Sequence, residues 1–182
     1  MAAGVTTEIR VKRGTAAGSR AVTLLTLAGV LGLAGAARAD GKERTLVFGE
    51  GAAAEVELKG RSSHGGLNAF VEWNAIDEWL ELELGASILA TDGGVVVPVD
   101  LLLKKPFTIT HSLELMVGFG PEMVQFAAPG DQATVWGVEG ALDLMLWPTQ
   151  HYGLWVEPSY DLLFRDRVEG GMGGTAGVML GF

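Results

Sequence analysis

The chain has 182 residues, one domain's worth, with no cysteine and a formal net charge of −9. The acidic balance excludes a nucleic-acid partner, and the missing cysteine excludes disulfides, thiolate metal sites and a lipid-anchored cysteine. A chain that is 48% hydrophobic, holds 27 glycines and is still strongly acidic must sort these groups onto separate faces.

The first 39 residues read as a signal peptide. Arg10, Lys12, Arg13 and Arg20 form a basic stretch, Ala21 to Gly35 an uncharged apolar run, and Ala37-Arg38-Ala39 a small-x-small cleavage site before Asp40. The apolar run is shorter than the ~20 residues that a spanning helix needs. Residues 40–52 read as a flexible lead-in, although Thr45–Phe48 has strand character, and residues 53–182 as the folded domain. Beyond residue 39 no window offers the ~18 apolar residues of a transmembrane helix.

The domain shows period-two alternation broken by turn signals. The clearest segment is Trp79-Leu80-Glu81-Leu82-Glu83-Leu84-Gly85-Ala86-Ser87-Ile88. A strand sends its leucines to one face and Glu81 and Glu83 to the other, whereas a helix scatters them. The rhythm predicts strands over Ala53–Gly60, Leu67–Trp73, Glu78–Leu89, Val95–Lys104, His111–Phe126, Ala133–Trp147, Tyr152–Phe164 and Gly171–Phe182. Most of the short connections carry Gly, Pro, Asn or Asp.

Several of these segments exceed the ~5–6 residues of an average soluble strand and match the ~9–11 of a tilted strand crossing a bilayer. Long alternating strands, tight turns and an even strand count predict an all-β, antiparallel, up-and-down eight-stranded transmembrane β-barrel. One face carries Leu80, Leu82, Leu84, Val97, Val99, Leu101, Leu103, Leu113, Leu115, Val117, Phe119, Leu142, Leu144, Leu146, Leu154 and Val156, suited to outer-membrane lipid. The other carries Glu81, Glu83, Asp100, Glu114, Glu139, Asp143, Glu157 and Asp161, with few bases. With the N-terminus placed at the periplasmic side, Trp73, Trp79, Phe107, Trp147, Tyr152 and Phe182 fall at one rim as an interfacial girdle, and Phe126 and Phe164 near the other.

The ending Gly173-Gly174-Thr175-Ala176-Gly177-Val178-Met179-Leu180-Gly181-Phe182 resembles the last strand of small bacterial outer-membrane barrels of functionally uncharacterised type. Val156-Glu157-Pro158-Ser159-Tyr160-Asp161 and the Lys104-Lys105-Pro106-Phe107 turn look similar to theirs. The resemblance covers roughly residues 67–182 and implies that the final strand with Phe182 is the signal read by the barrel-assembly machinery. Members of that class usually carry long extracellular loops, and the loops here are short.

The inward acids are the concentrated chemical feature. Carboxylates crowded in a narrow lumen need protons, cations or water. A divalent cation such as Ca²⁺ or Mg²⁺, held by hard oxygens, is one expectation, or a small solute. Salt bridges to Arg61, Lys104 or Arg165 are the alternative. No cofactor motif is present: the run Gly170-Gly171-Met172-Gly173-Gly174 has no Lys-Ser/Thr partner or following helix. No catalytic motif is evident and no enzyme is expected. The competing readings are a lipid-modifying hydrolase or acyltransferase built on His64, beside Ser62 and Ser63 in an outward loop, and a soluble periplasmic barrel binding an apolar ligand. His111 and His151 fall near turns at the other rim.

Overall fold

The computed structural model describes residues 44–58 and 62–182, with the side chain of Asp131 left aside. The expected signal peptide and Arg61 lie outside the described residues. The strands are β1 (Leu46–Glu57), β2 (Ser63–Ile76), β3 (Leu80–Thr91), β4 (Gly94–Thr110), β5 (Leu113–Ala128), β6 (Asp131–Leu146), β7 (Tyr152–Phe164) and β8 (Val168–Gly181). Each pairs antiparallel with the next, and β8 returns to β1, closing the barrel. Closure leaves no strand edge with unpaired N–H and C=O groups, the condition for crossing lipid with strands.

Alternation sorts the side chains. Leu84, Leu101, Leu103, Val117, Phe119, Leu142, Leu144, Leu146, Leu154 and Val156 point outward and are exposed, as their spacing predicts. Inward positions form two apolar clusters. Val47, Phe70, Met116, Met145, Trp147, Trp155 and Met179 fill the end where β1 begins and β8 finishes, called the terminal end below. Ala53, Leu89, Val96, Val124 and Leu163, with Phe126 and Val135 against them, lie toward the opposite end. Inward glycines make room for long neighbours: a Cβ at Gly118 would stand 2.9 Å from Lys104 Cγ.

The structure corrects several expected boundaries. β1 begins at Leu46, so most of the expected lead-in is strand. Its Gly49, Gly51 and alanines give a weak strand signal, but β2 and β8 both hydrogen-bond to it, and the ring cannot close without it. Lys104-Lys105-Pro106-Phe107 is not a turn. β4 continues to Thr110, and the connection shrinks to His111-Ser112. Beyond Lys104, β4 pairs only with β5, so the missing N–H of Pro106 costs little there. His64 stands within β2, opposite Glu55, rather than in a loop.

The aromatic girdle is also amended. Trp73, Trp79, Phe107, Tyr152 and Phe182 are exposed at the terminal rim, joined by Phe48, whose ring meets Phe182 edge-on. Trp147 is only 5% exposed and lies inside the barrel. Phe126 likewise turns inward, while Phe164 is exposed.

Candidate functional site

The interior is organised around one lysine. Lys104 projects inward from β4 and is fully buried, at 0% exposure. Its Nζ lies 2.7 Å from Glu83 Oε2 on β3, 2.5 Å from Asp143 Oδ2 on β6 and 2.9 Å from Glu157 Oε2 on β7. The contacts to Glu83 and Glu157 are hydrogen bonds; that to Asp143 is an ion pair without hydrogen-bond geometry. Thr175 Oγ1 on β8 donates to Glu157 Oε1 at 3.3 Å. The Phe70 ring of the terminal-end cluster stands 5.8 Å from the same ammonium. A lone ammonium or carboxylate here would carry a large desolvation cost, which the close opposite charges offset.

Glu72, 1% exposed, stands beside Glu81, Glu83 and Lys104. Toward the terminal mouth, the Arg44 guanidinium covers the Trp147 ring at 3.5 Å, and its Nε donates to the Gln150 carbonyl at 3.0 Å. Arg44 also acts electrostatically on Glu114 and Glu81. A charged layer therefore lies above an aromatic and methionine plug, with a second cation beneath it.

Toward the opposite end the acids outnumber the bases. Asp100 faces Glu122 across the β4–β5 ladder, and Glu139 faces Asp161 across β6–β7. Ser159 hydrogen-bonds Glu139, and the backbone of Gly171 hydrogen-bonds Asp161. Glu122 is 5% exposed, and its Oε2 has no hydrogen-bond partner among the described residues. Above them opens a cavity of about 240 Å³ lined by Glu55, Glu57, Asp161, Leu163, Arg165 and Glu169. Ser62 Oγ donates to Glu57 at 2.7 Å, and Arg165 pairs with Glu169 at 3.3 Å on the cavity wall.

All eight acids expected to face inward do so, and the fold gathers Glu83, Asp143 and Glu157 on one cation. Glu55, Glu72 and Glu122 were missed as members. Glu122 shares the strand and parity of Glu114, so alternation alone identifies it. Among the described residues no set of three or more acid or histidine side chains is arranged as a metal cage. The place where three carboxylates converge holds the lysine.

The histidines do not assemble a triad. Among the described residues, no hydrogen bond or ion pair ties the His64 ring to an acid, and His151 Nδ1 lies 2.9 Å from the Gly181 carbonyl, bracing the last strand. A soluble barrel with an apolar ligand would carry a polar outer face, whereas the outer face here is almost wholly hydrocarbon.

No protein-family model matches the chain, and no curated protein is detectably similar to it. Solved structures do match. The chain is similar to Neisserial surface protein A (NspA) with a TM-score of 0.59 and 13% identity, over 75% of this chain and 96% of that one. It is similar to the N-terminal β-barrel domain of Pseudomonas aeruginosa OprF with a TM-score of 0.53 and 16% identity, over 76% and 98%. The outer membrane protein OprG of the same organism matches with a TM-score of 0.52 and 15% identity, over 75% and 95%. The chain has the closed eight-stranded fold of small outer-membrane barrels of Gram-negative bacteria.

Proposed function

We propose that this is a non-catalytic structural protein of the outer membrane, exported by residues 1–39, with a lumen cross-linked rather than open. The observation that carries this reading is Lys104 joined to Glu83, Asp143 and Glu157 from three other strands between two apolar clusters. An eight-stranded barrel has an interior just wide enough for side chains to fill, and here the lysine network and the two apolar clusters occupy its middle, leaving a cavity toward the end opposite the terminal rim. Outer-membrane lipid is its immediate partner, and the barrel-assembly machinery would read the strand ending at Phe182. Refolded protein in a planar bilayer should give no steady conductance in salt solution. A reproducible ohmic step per inserted molecule would overturn the sealed lumen.

The acid-lined cavity at the opposite end supports a second reading, in which the barrel takes up a small cationic solute or a divalent cation. Calcium and spermidine should each be tried for a rise in unfolding temperature, and Glu55→Gln with Asp161→Asn should abolish any rise. No rise in the parent protein removes this reading. The lipid-modifying enzyme built on His64 gains no support from the geometry, and a His64→Ala strain with an unchanged lipid profile would dismiss it.

A further inference from the structure

The half of the lumen away from the terminal end is short of hydrogen-bond donors. Glu122 projects inward from β5 and is 5% exposed, and its Oε2 accepts no hydrogen bond from the described residues. An ionised carboxylate is only an acceptor, so ionised acids around it cannot satisfy that oxygen. Those acids are Asp100 on the neighbouring strand and, on the cavity wall, Asp161 and Glu55, with all of which Glu122 interacts electrostatically. β1 and β5 stand four strands apart in a closed ring of eight, so Glu55 and Glu122 approach from opposite walls. The nearest described cations are engaged. Arg165 pairs with Glu169 at 3.3 Å and stands 4.3 Å from the Phe126 ring, although its charge also reaches Glu55. Lys104 is held by Glu83, Asp143 and Glu157.

The cavity beside Glu122 is not built for a bare metal ion. Among the described residues no three acid or histidine side chains form a metal cage. At about 240 Å³ the space is a little below the ~300–1,000 Å³ of pockets for drug-sized ligands, and far above the need of one ion with oxygens at ~2.3–2.6 Å. Its wall is also partly hydrocarbon: Leu163 lines it and belongs to the apolar cluster with Leu89 and Val124. Carboxylates beside a hydrocarbon wall suit a primary ammonium on a methylene stem, which packs its stem and hydrogen-bonds its head. The same lumen already holds such a group. Lys104 is fully buried, with its stem against Gly118 and its Nζ 2.7 Å from Glu83 and 2.9 Å from Glu157.

We infer that the cavity binds a linear aliphatic diamine, with one ammonium at Glu122 and the other at Glu55 and Asp161. The inference deepens the cation-uptake reading above and rests on it. Each ammonium brings three donors and no acceptor, so one of them supplies Glu122 Oε2 with the hydrogen bond it lacks. The stem crosses the lumen along Leu163. The Lys104 layer beneath stops passage toward the terminal end, so the site binds its ligand and does not conduct it.

Purified, folded protein in detergent is titrated by calorimetry with cadaverine, propylamine and calcium at equal ionic strength. Cadaverine and calcium carry the same charge, so their comparison isolates shape. The expected result is a single saturable site for cadaverine, with calcium and propylamine weaker by roughly tenfold or more. Glu122→Gln and, separately, Asp161→Asn should each weaken cadaverine by roughly tenfold. Glu50→Gln, on the exposed outer face, should leave it unchanged. Each variant is first shown to give a compact, heat-modifiable band. If Glu122→Gln does not fold, Asp161→Asn and the ligand series on the parent decide. Calcium binding as tightly as cadaverine, with both lost in Asp161→Asn, keeps the cation reading and overturns the diamine. Saturable binding of none of the three probes overturns both. Propylamine matching cadaverine overturns the two-ended geometry. Cadaverine binding that survives the substitutions is non-specific attachment and overturns the inference.

Discussion

Lys104 Nζ on β4 lies 2.9 Å from Glu157 Oε2 on β7, a contact made through the lumen past β5 and β6 rather than along the wall. The same ammonium holds Glu83 and Asp143, so one side chain ties four strands together. Wall hydrogen bonds fix each strand only to its neighbours. The lysine adds cross-links over the diameter.

Removing that cation should be costly. Lys104→Met leaves three crowded carboxylates without their counter-charge and is expected to cost ~3–5 kcal/mol. The readout is the urea midpoint of the compact gel band in detergent. Glu157→Gln, which keeps a hydrogen-bonding group and removes one of three anions, should cost less. Equal and negligible effects would mean the network contributes no stability.

The tryptophans report which face each occupies. Trp73, Trp79 and Trp136 are 50%, 59% and 61% exposed on the outer surface, while Trp147 and Trp155 are 5% and 4% exposed inside. In brominated-lipid vesicles, single-tryptophan variants retaining one of the first three should be quenched. Those retaining Trp147 or Trp155 should not be. Strong quenching of Trp155 would contradict the inward assignment.

Neighbouring leucines should respond in opposite ways. Leu101 is 47% exposed on the outer face and Leu102 is 1% exposed inside. Leu101→Arg places a charge against lipid and should cost ~2–4 kcal/mol in bilayers. Leu102→Ala leaves a cavity and should cost ~2–5 kcal/mol in bilayer and detergent alike. Refolding titrations in the two media distinguish these mechanisms.

Arg44 should seal the terminal end by covering Trp147. Arg44→Ala removes a cation stacked at 3.5 Å on a buried ring, a contact of ~1–2 kcal/mol. The expected sign is faster acrylamide quenching in the variant that retains only Trp147, with Trp155 unchanged. No change at Trp147 would show that the guanidinium does not shield it.

Much of the architecture was legible because a strand has period two. Once Leu142, Leu144 and Leu146 face out, Met145 and Trp147 must face in. Trp147 shares the level of the girdle but has the parity of Met145, and parity decides that it faces inward. Parity also sends Lys104 inward with Asp100, and Glu122 inward with Glu114. Alternation does not reveal which acids meet. Glu83, Asp143 and Glu157 converge because register and barrel stagger bring separate strands to one height, a relation absent from any single strand. β1 was obscured for a different reason. Its glycines and alanines carry little strand signal, and Glu50 breaks the apolar face.

The most direct measurement is the gel mobility of the protein from fractionated membranes, with and without boiling in detergent. A closed barrel should be recovered in the outer-membrane fraction and run faster unboiled than boiled, with Lys104→Met losing the fast band at a lower temperature. A single unshifted band released by osmotic shock would contradict the account, because the apolar belt would then have to be covered by protein rather than lipid.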